Sequence, residues 1–208
     1  MSLLDISPVI PVVILEDASR AVPLARALVA GGIDIIELTL RTSSALESIE
    51  RIAEEVPEIT VGAGTVVDPA QAGQAAAKGA SFLVSPGATD PLLDAMTETG
   101  LPFLAGTATV SEMLALRERG IREAKVFPAR ASGGAPFLQA VHSPVPDMRF
   151  CPTGGIGPAD AADYLALPNV GCVGGSWITP AAVVEVADWG EITRLASEAL
   201  AVAGTLRA

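Results

Sequence analysis

Histidine, cysteine, lysine and aromatic side chains are all scarce in this sequence, and each scarcity closes off a class of chemistry. The single histidine, His142, cannot supply the two or three imidazoles usual at catalytic zinc. Two cysteines, Cys151 and Cys172, are too few for a disulfide scaffold or a four-cysteine metal site. Both lie in apolar runs, where a buried free thiol is expected. Aromatics make up 4% of the residues, so a core must be built from Ala, Val, Leu and Ile. Thirteen basic against 24 acidic residues give a net charge of -11. A nucleic-acid or anionic-membrane partner needs a positive field, so neither is expected. The apolar run over residues 9–15 is broken by Pro11 and falls far below membrane-spanning length, and a soluble, cytoplasmic protein is expected. Any anionic ligand has to be held by a local site that works against the global charge.

What is present is material for a large core. Half of the 208 residues are apolar and 18% are charged, far from the mixture that stays disordered. Short β-branched runs begin near Val9, Ile33, Ile59, Ser81, Pro102, Glu123, Arg149 and Val170. Each interval has room for a strand, a turn and one Ala-rich helix, which is the βα unit that parallel strands require. Asp17 before a helix over 18–30 and Gly31-Gly32 after it are start and stop chemistry. Asp68-Pro69 and Asp90-Pro91 open further helices, and Gly79 and Gly100 close them. Ser111 or Thr109 caps the fifth. No linker or low-complexity tract interrupts the pattern, so residues 1–208 are read as one domain.

Eight such units predict a compact α/β protein, a (β/α)8 barrel of the TIM type. The rival is an open doubly wound sheet, whose mark would be Gly-x-Gly-x-x-Gly after the first strand. Here that strand leads into Leu15-Glu16-Asp17, and Gly62-Ala63-Gly64 continues as Thr65-Val66-Val67. Neither fits, and the barrel is favoured.

Strand alternation then sorts the polar residues. In the second strand Ile36, Leu38 and Leu40 share the helix-facing parity, whereas Glu37, Thr39 and Arg41 share the lumen-facing one. In the sixth, Ala124 and Val126 face helices and Lys125 points inward. Only two lysines occur. Lys78 sits at a helix end, where a cation is routine, but an isolated ammonium in mid-strand is costly to bury. An ion pair with Glu37 would account for it structurally. Chemically, desolvation and a nearby Arg41 would both favour the uncharged amine, which can condense with a ketone. The iminium so formed withdraws electrons and lets an adjacent carbon–carbon bond break without a metal, and Glu37 is placed to move the protons. Glycine-bearing segments follow strands three, seven and eight: Gly62 to Thr65, Thr153 to Gly157, and Gly174 to Ser176. The last two, in that order, suit a barrel phosphate site, where bare amides converge on an anion. Ser85-Pro86-Gly87 after strand four reads equally as a turn or a pocket wall. His142 is placed in a loop after helix six.

Glu37-Leu38-Thr39-Leu40-Arg41-Thr42, Gly62-Ala63-Gly64-Thr65-Val66, Ser85-Pro86-Gly87, Lys125-Val126-Phe127-Pro128-Ala129, Cys151-Pro152-Thr153-Gly154-Gly155-Ile156 and Gly174-Gly175-Ser176-Trp177 together resemble the 2-keto-3-deoxy-6-phosphogluconate (KDPG) aldolases, also called 4-hydroxy-2-oxoglutarate (KHG) aldolases. The similarity runs in order over nearly the whole chain. It implies a class I aldolase that splits a phosphorylated 2-keto-3-deoxy sugar acid into pyruvate and glyceraldehyde 3-phosphate, with no metal or other cofactor. Carried over residue by residue, Lys125 resembles the Schiff-base lysine, and Glu37 the acid/base that works through a bound water. Arg41 and Thr65 resemble the holders of the pyruvate-end carboxylate, and Pro86 and Phe127 the pocket walls. Thr153, Gly154, Gly155 and Ser176 resemble contacts to the polar tail and phosphate. The only partners implied are the small keto-acid or phosphosugar-acid substrate and two further copies of the chain in a homotrimer. Two departures fall near the distal pocket: Arg130 stands where many relatives carry Glu, and Gly106-Thr107-Ala108-Thr109 replaces a more usual Gly-Ile-Ser-Thr. Apart from the resemblance, the same residues also suit a phosphosugar isomerase or epimerase using Glu37 without covalent catalysis, or a non-catalytic binder of such metabolites.

Overall fold

The computed structural model describes residues 2–204. Strands and helices alternate along the chain as β1 (Val9–Val13), α1 (Ala21–Ala30), β2 (Ile35–Thr39), α2 (Ala45–Glu55), β3 (Thr60–Gly64), α3 (Pro69–Ala77), β4 (Phe82–Val84), α4 (Asp90–Glu98), β5 (Phe103–Thr107), α5 (Val110–Glu118), β6 (Glu123–Val126), α6 (Gly134–His142), β7 (Arg149–Pro152), α7 (Pro158–Leu165), β8 (Val173–Gly175), α8 (Ala181–Glu185) and α9 (Trp189–Gly204). Consecutive strands pair in parallel from β1 to β7, and β1 also pairs with β8. Parallel bridges Phe150↔Val170 and Thr153↔Gly174 join β7 to β8 and close the ring. The fold is the expected (β/α)8 barrel, and the open sheet is ruled out because no free edge remains between its first and last strands.

Most of the local chemistry read from the sequence operates. Asp68 makes a capping box with Gln71 ahead of Pro69, and Thr109 makes one with Glu112. Gly79, Gly100 and Gly120 take the left-handed conformation after α3, α4 and α5, the usual way a helix is stopped. Other boundaries need correction. Asp17 caps a single 3-10 turn, Ala18–Arg20, which then feeds α1. The cap position of α4 is Thr89, and Asp90 is its first helical residue. β2 starts at Ile35 and not Ile33, and β8 at Val173 and not Val170. In each, apolar residues before the strand are buried without joining a full ladder, and hydrophobicity alone does not mark where pairing begins. His142 is the last residue of α6 and not a loop residue; its Nδ1 is buried without a partner among the described residues.

Packing relies on small residues, as the scarcity of aromatics requires. At the α1–α9 crossing a Cβ on Gly31 would lie 2.5 Å from the Ala196 Cβ and 2.7 Å from the Thr193 carbonyl oxygen, so only glycine permits that approach. The N-terminal end of the barrel is sealed by buried Leu3 and Leu4 and by Arg149, which donates to Asp5 at 2.5 Å and to Glu123 at 3.4 Å. With that end closed, access to the lumen is left to the C-terminal mouth, where barrel sites are built.

Candidate active site

Register decides which side chains share the lumen. Glu37 on β2 lies level with Val12 on β1 and Gly62 on β3. Lys125 on β6 lies level with Gly106 on β5 and Cys151 on β7. Partners in a parallel ladder point to the same side, so glycines flank both charged residues and leave room for them. A Cβ on Gly62 would overlap the Phe82 ring, which fills the lumen at that level, and one on Gly64 would overlap the Glu37 carboxylate itself.

Into that space the chain places an ammonium and a carboxylate from opposite sides of the barrel. The Lys125 Nζ lies 3.3 Å from Glu37 Oε1, with the two residues 5% and 3% exposed. The Phe127 ring stands beside the same nitrogen, 5.5 Å from Nζ to its centroid, a cation–π distance. The Thr107 hydroxyl donates to the Lys125 carbonyl oxygen at 3.1 Å. Such a pair loses its hydration and is kept only when the contact itself is used or well satisfied. At 3.3 Å the carboxylate can exchange a proton with the amine.

The residues at the mouth divide into two groups. On one side Arg41, just past β2, donates from Nε to the Thr65 hydroxyl at 3.1 Å. Thr65 holds φ at +57°, a left-handed conformation costly for a β-branched residue and one that collects at functional positions. The sequence suggested Arg41 as an inward neighbour of the lysine. Its side chain stands at the C-terminal mouth, as alternation placed it, but is exposed there and bonded to Thr65, while Glu37 makes the direct contact with Lys125. Pro86 packs nearby. A Cβ on Gly106, the lysine's neighbour on β5, would overlap the Pro86 backbone. The Ser85 hydroxyl fixes this turn by donating to the Gly87 carbonyl at 2.7 Å and accepting from the Gly106 amide at 3.4 Å.

Arg41 also borders the second group, a cleft of about 190 Å³ lined besides by Phe127, Thr153, Gly154, Gly155 and Ser176, together with Val12, Ile14, Ile156, Gly174 and Gly175. Gly154 and Gly155 take φ of +101° and +77°. These values bend the loop after β7 so that the amides of Gly155 and Ile156 donate to no acceptor among the described residues. The first turn of α7 follows at Pro158. Free amides in a left-handed turn ahead of a helix N-terminus form an anion cradle. Gly174 leaves space for the Thr153 side chain.

Six of the ten residues singled out from the sequence therefore line one cleft, Lys125 and Glu37 meet in the lumen, and Thr65 and Pro86 stand at the rim. Sequence reasoning missed Val12 and Ile14, although continuing the same alternation along β1 would have found them. It also missed Thr107 and the steric roles of Gly64 and Gly106, which depend on register between strands. The two cysteines are free and buried; the Cys172 thiol's hydrogen bond to Cys151, and then burial, push it well up, so it stays protonated and unreactive. Among the described residues no group of three or more His, Cys, Asp or Glu could hold a metal ion, and no helix is long and apolar enough to cross a membrane.

A family model for KDPG and KHG aldolase matches residues 1–195. The KHG/KDPG aldolase of Escherichia coli (strain K12) is 50% identical over 199 residues, covering 96% of this chain and 93% of that protein. The KDPG aldolase from Legionella pneumophila, solved with pyruvate captured at low pH as a covalent carbinolamine intermediate, superposes with a TM-score of 0.93 at 43% identity, covering 95% of this chain and 96% of that one. The corresponding aldolase of Zymomonas mobilis ZM4, solved with 3-phosphoglycerate, gives 0.90 at 43% identity, covering 95% and 93%.

Proposed function

Because this chain belongs to the KDPG and KHG aldolase family, we propose that its buried lysine and carboxylate carry out a class I aldol cleavage. The enzyme is an aldolase, hence a lyase, acting through a Schiff base. Its substrate is 2-keto-3-deoxy-6-phosphogluconate, cleaved to pyruvate and glyceraldehyde 3-phosphate, and it also cleaves 4-hydroxy-2-oxoglutarate to pyruvate and glyoxylate. The isomerase and binder alternatives give Lys125 no covalent part and do not fit that family.

In this reading the uncharged Lys125 amine adds to the C2 carbonyl, and the carbinolamine loses water to form an iminium. The C4 hydroxyl gives up its proton, its oxygen electrons form the aldehyde, and the C3–C4 bonding pair passes into the iminium to give an enamine. C3 is then protonated, and hydrolysis releases pyruvate and the free lysine. Glu37 moves the protons at each stage. Arg41 and Thr65 hold the C1 carboxylate, a planar anion that suits a guanidinium and a hydroxyl. Pro86 and Phe127 wall the reacting carbons from water. Thr153, Gly154, Gly155 and Ser176 receive the polar tail and phosphate. The observation that carries the reading is the 3.3 Å contact between Lys125 Nζ and Glu37 Oε1 inside the closed barrel. We further infer that residues 1–208 act as one catalytic domain, that it works as a homotrimer as the resemblance implies, and that it resides in the cytoplasm, where two free cysteines are at home. Incubation with the phosphorylated sugar acid should release pyruvate and glyceraldehyde 3-phosphate in equal amounts. Lys125→Met should abolish that release; undiminished turnover in the variant would refute the assignment.

A further inference from the structure

The cleft has one cation in its lining, Arg41, and the reading above commits it to the carboxylate end of the substrate. The phosphate end is then left with neutral amides and hydroxyls in a protein of net charge -11. A second arginine lies across Gly155 from that end. Arg130 lies just past β6, where the chain is tied to the glycine loop: the Ala129 amide donates to the Thr153 carbonyl at 2.8 Å and the Arg130 amide to the Gly154 carbonyl at 3.1 Å. Its aliphatic stem crosses Gly155 so closely that a Cβ there would come within 2.8 Å of the Arg130 Cβ and 3.1 Å of its Cδ. Gly155 lines the cleft on one side and, on the other, a hollow of about 160 Å³ that Arg130, Asp160 and Tyr164 also line.

The charged end of Arg130 is loosely held. Its Nη1 lies 3.9 Å from Asp160 Oδ2, with the two side chains 73% and 46% exposed, and an ion pair of that kind contributes little. The same Asp160 oxygen already accepts from the Gly157 amide at 3.3 Å. A guanidinium on a flexible stem, anchored beside an anion cradle and weakly paired, can turn from a single carboxylate to a doubly charged phosphate. The phosphate offers it two parallel hydrogen bonds.

Resting on the proposed aldolase reading, we infer that Arg130 is a specificity-determining residue that recognises the dianionic end of the substrate and favours phosphorylated over unphosphorylated sugar acids. Gln at this exposed position removes the charge without disturbing the core. The test compares 2-keto-3-deoxy-6-phosphogluconate with unphosphorylated 2-keto-3-deoxygluconate in wild type, Arg130→Gln and Arg130→Lys. Arg130→Gln should raise KM for the phosphorylated substrate about tenfold with kcat changed less than about twofold, and leave KM for the unphosphorylated one within about twofold. Arg130→Lys should recover part of the loss, because it restores the charge without the fork. An unchanged KM for the phosphorylated substrate, or an equal rise for both, would overturn the inference. Cleavage of neither substrate by the wild type would instead fault the underlying reading.

Discussion

The proposed chemistry rests on two side chains 88 residues apart in sequence, brought together because inward alternation on β2 and β6 is a matter of counting. Replacing Glu37 with Gln keeps its size and removes its capacity to carry protons. Turnover should fall by about 10²–10⁴-fold, the usual range for a positioned acid or base. Pyruvate affinity should change little, because the carboxylate is proposed to rest on Arg41 and Thr65 and not on Glu37. Steady-state kinetics with pyruvate as competitive inhibitor separates the two effects, and an unaltered kcat would remove Glu37 from the mechanism. The parity of Glu37 and Lys125 was legible from the sequence alone. The direction of Arg41 was not, since at the end of a strand alternation no longer constrains a long side chain. The left-handed Thr65 was equally hidden, because nothing in its residue type announces a positive φ.

The elements are held by local devices that can be tested away from the site. Thr109 and Glu112 form the capping box of α5, directly after β5, the strand next to Lys125. Thr109→Ala should cost about 1 kcal/mol of stability, as cap removals do. The Glu112 carboxyl is held below its usual range chiefly by the hydrogen bond from the Ala108 amide, with Thr109 adding to it. A carboxyl lowered in the folded state stabilises above its unfolded value, and that stabilisation is lost as pH falls through the folded value. Glu112→Gln keeps an acceptor but loses the charge. Its melting temperature should lie below wild type at neutral pH and converge with it in acid, and a constant gap across the range would contradict the linkage. Capping residues of this kind were readable in sequence because they act within four residues. The starts of β2 and β8 were read two or three residues early because Ile33 and Val170 are buried but lie outside the paired strands. The 3-10 turn ahead of α1 carries no compositional mark that separates it from the helix.

At the scale of the molecule, the eightfold alternation of strand and helix was visible without coordinates, and with it the end of the barrel at which the site is built. What sequence could not supply was register across the ring, and register explains why Gly62 lies level with Glu37 and Gly106 level with Lys125. Closure between β7 and β8 also brings Thr153 beside Gly174, so the two glycine-bearing loops line one cleft in a strongly acidic protein. In the proposed function the whole arrangement serves to seclude one amine and give it a ketone. Reduction with borohydride in the presence of pyruvate, followed by peptide mapping, examines that directly. One reduced pyruvyl adduct per chain, located on Lys125 and accompanied by loss of activity, is the predicted result. An adduct on Lys78, or no adduct in a protein that still cleaves its substrate, would contradict it.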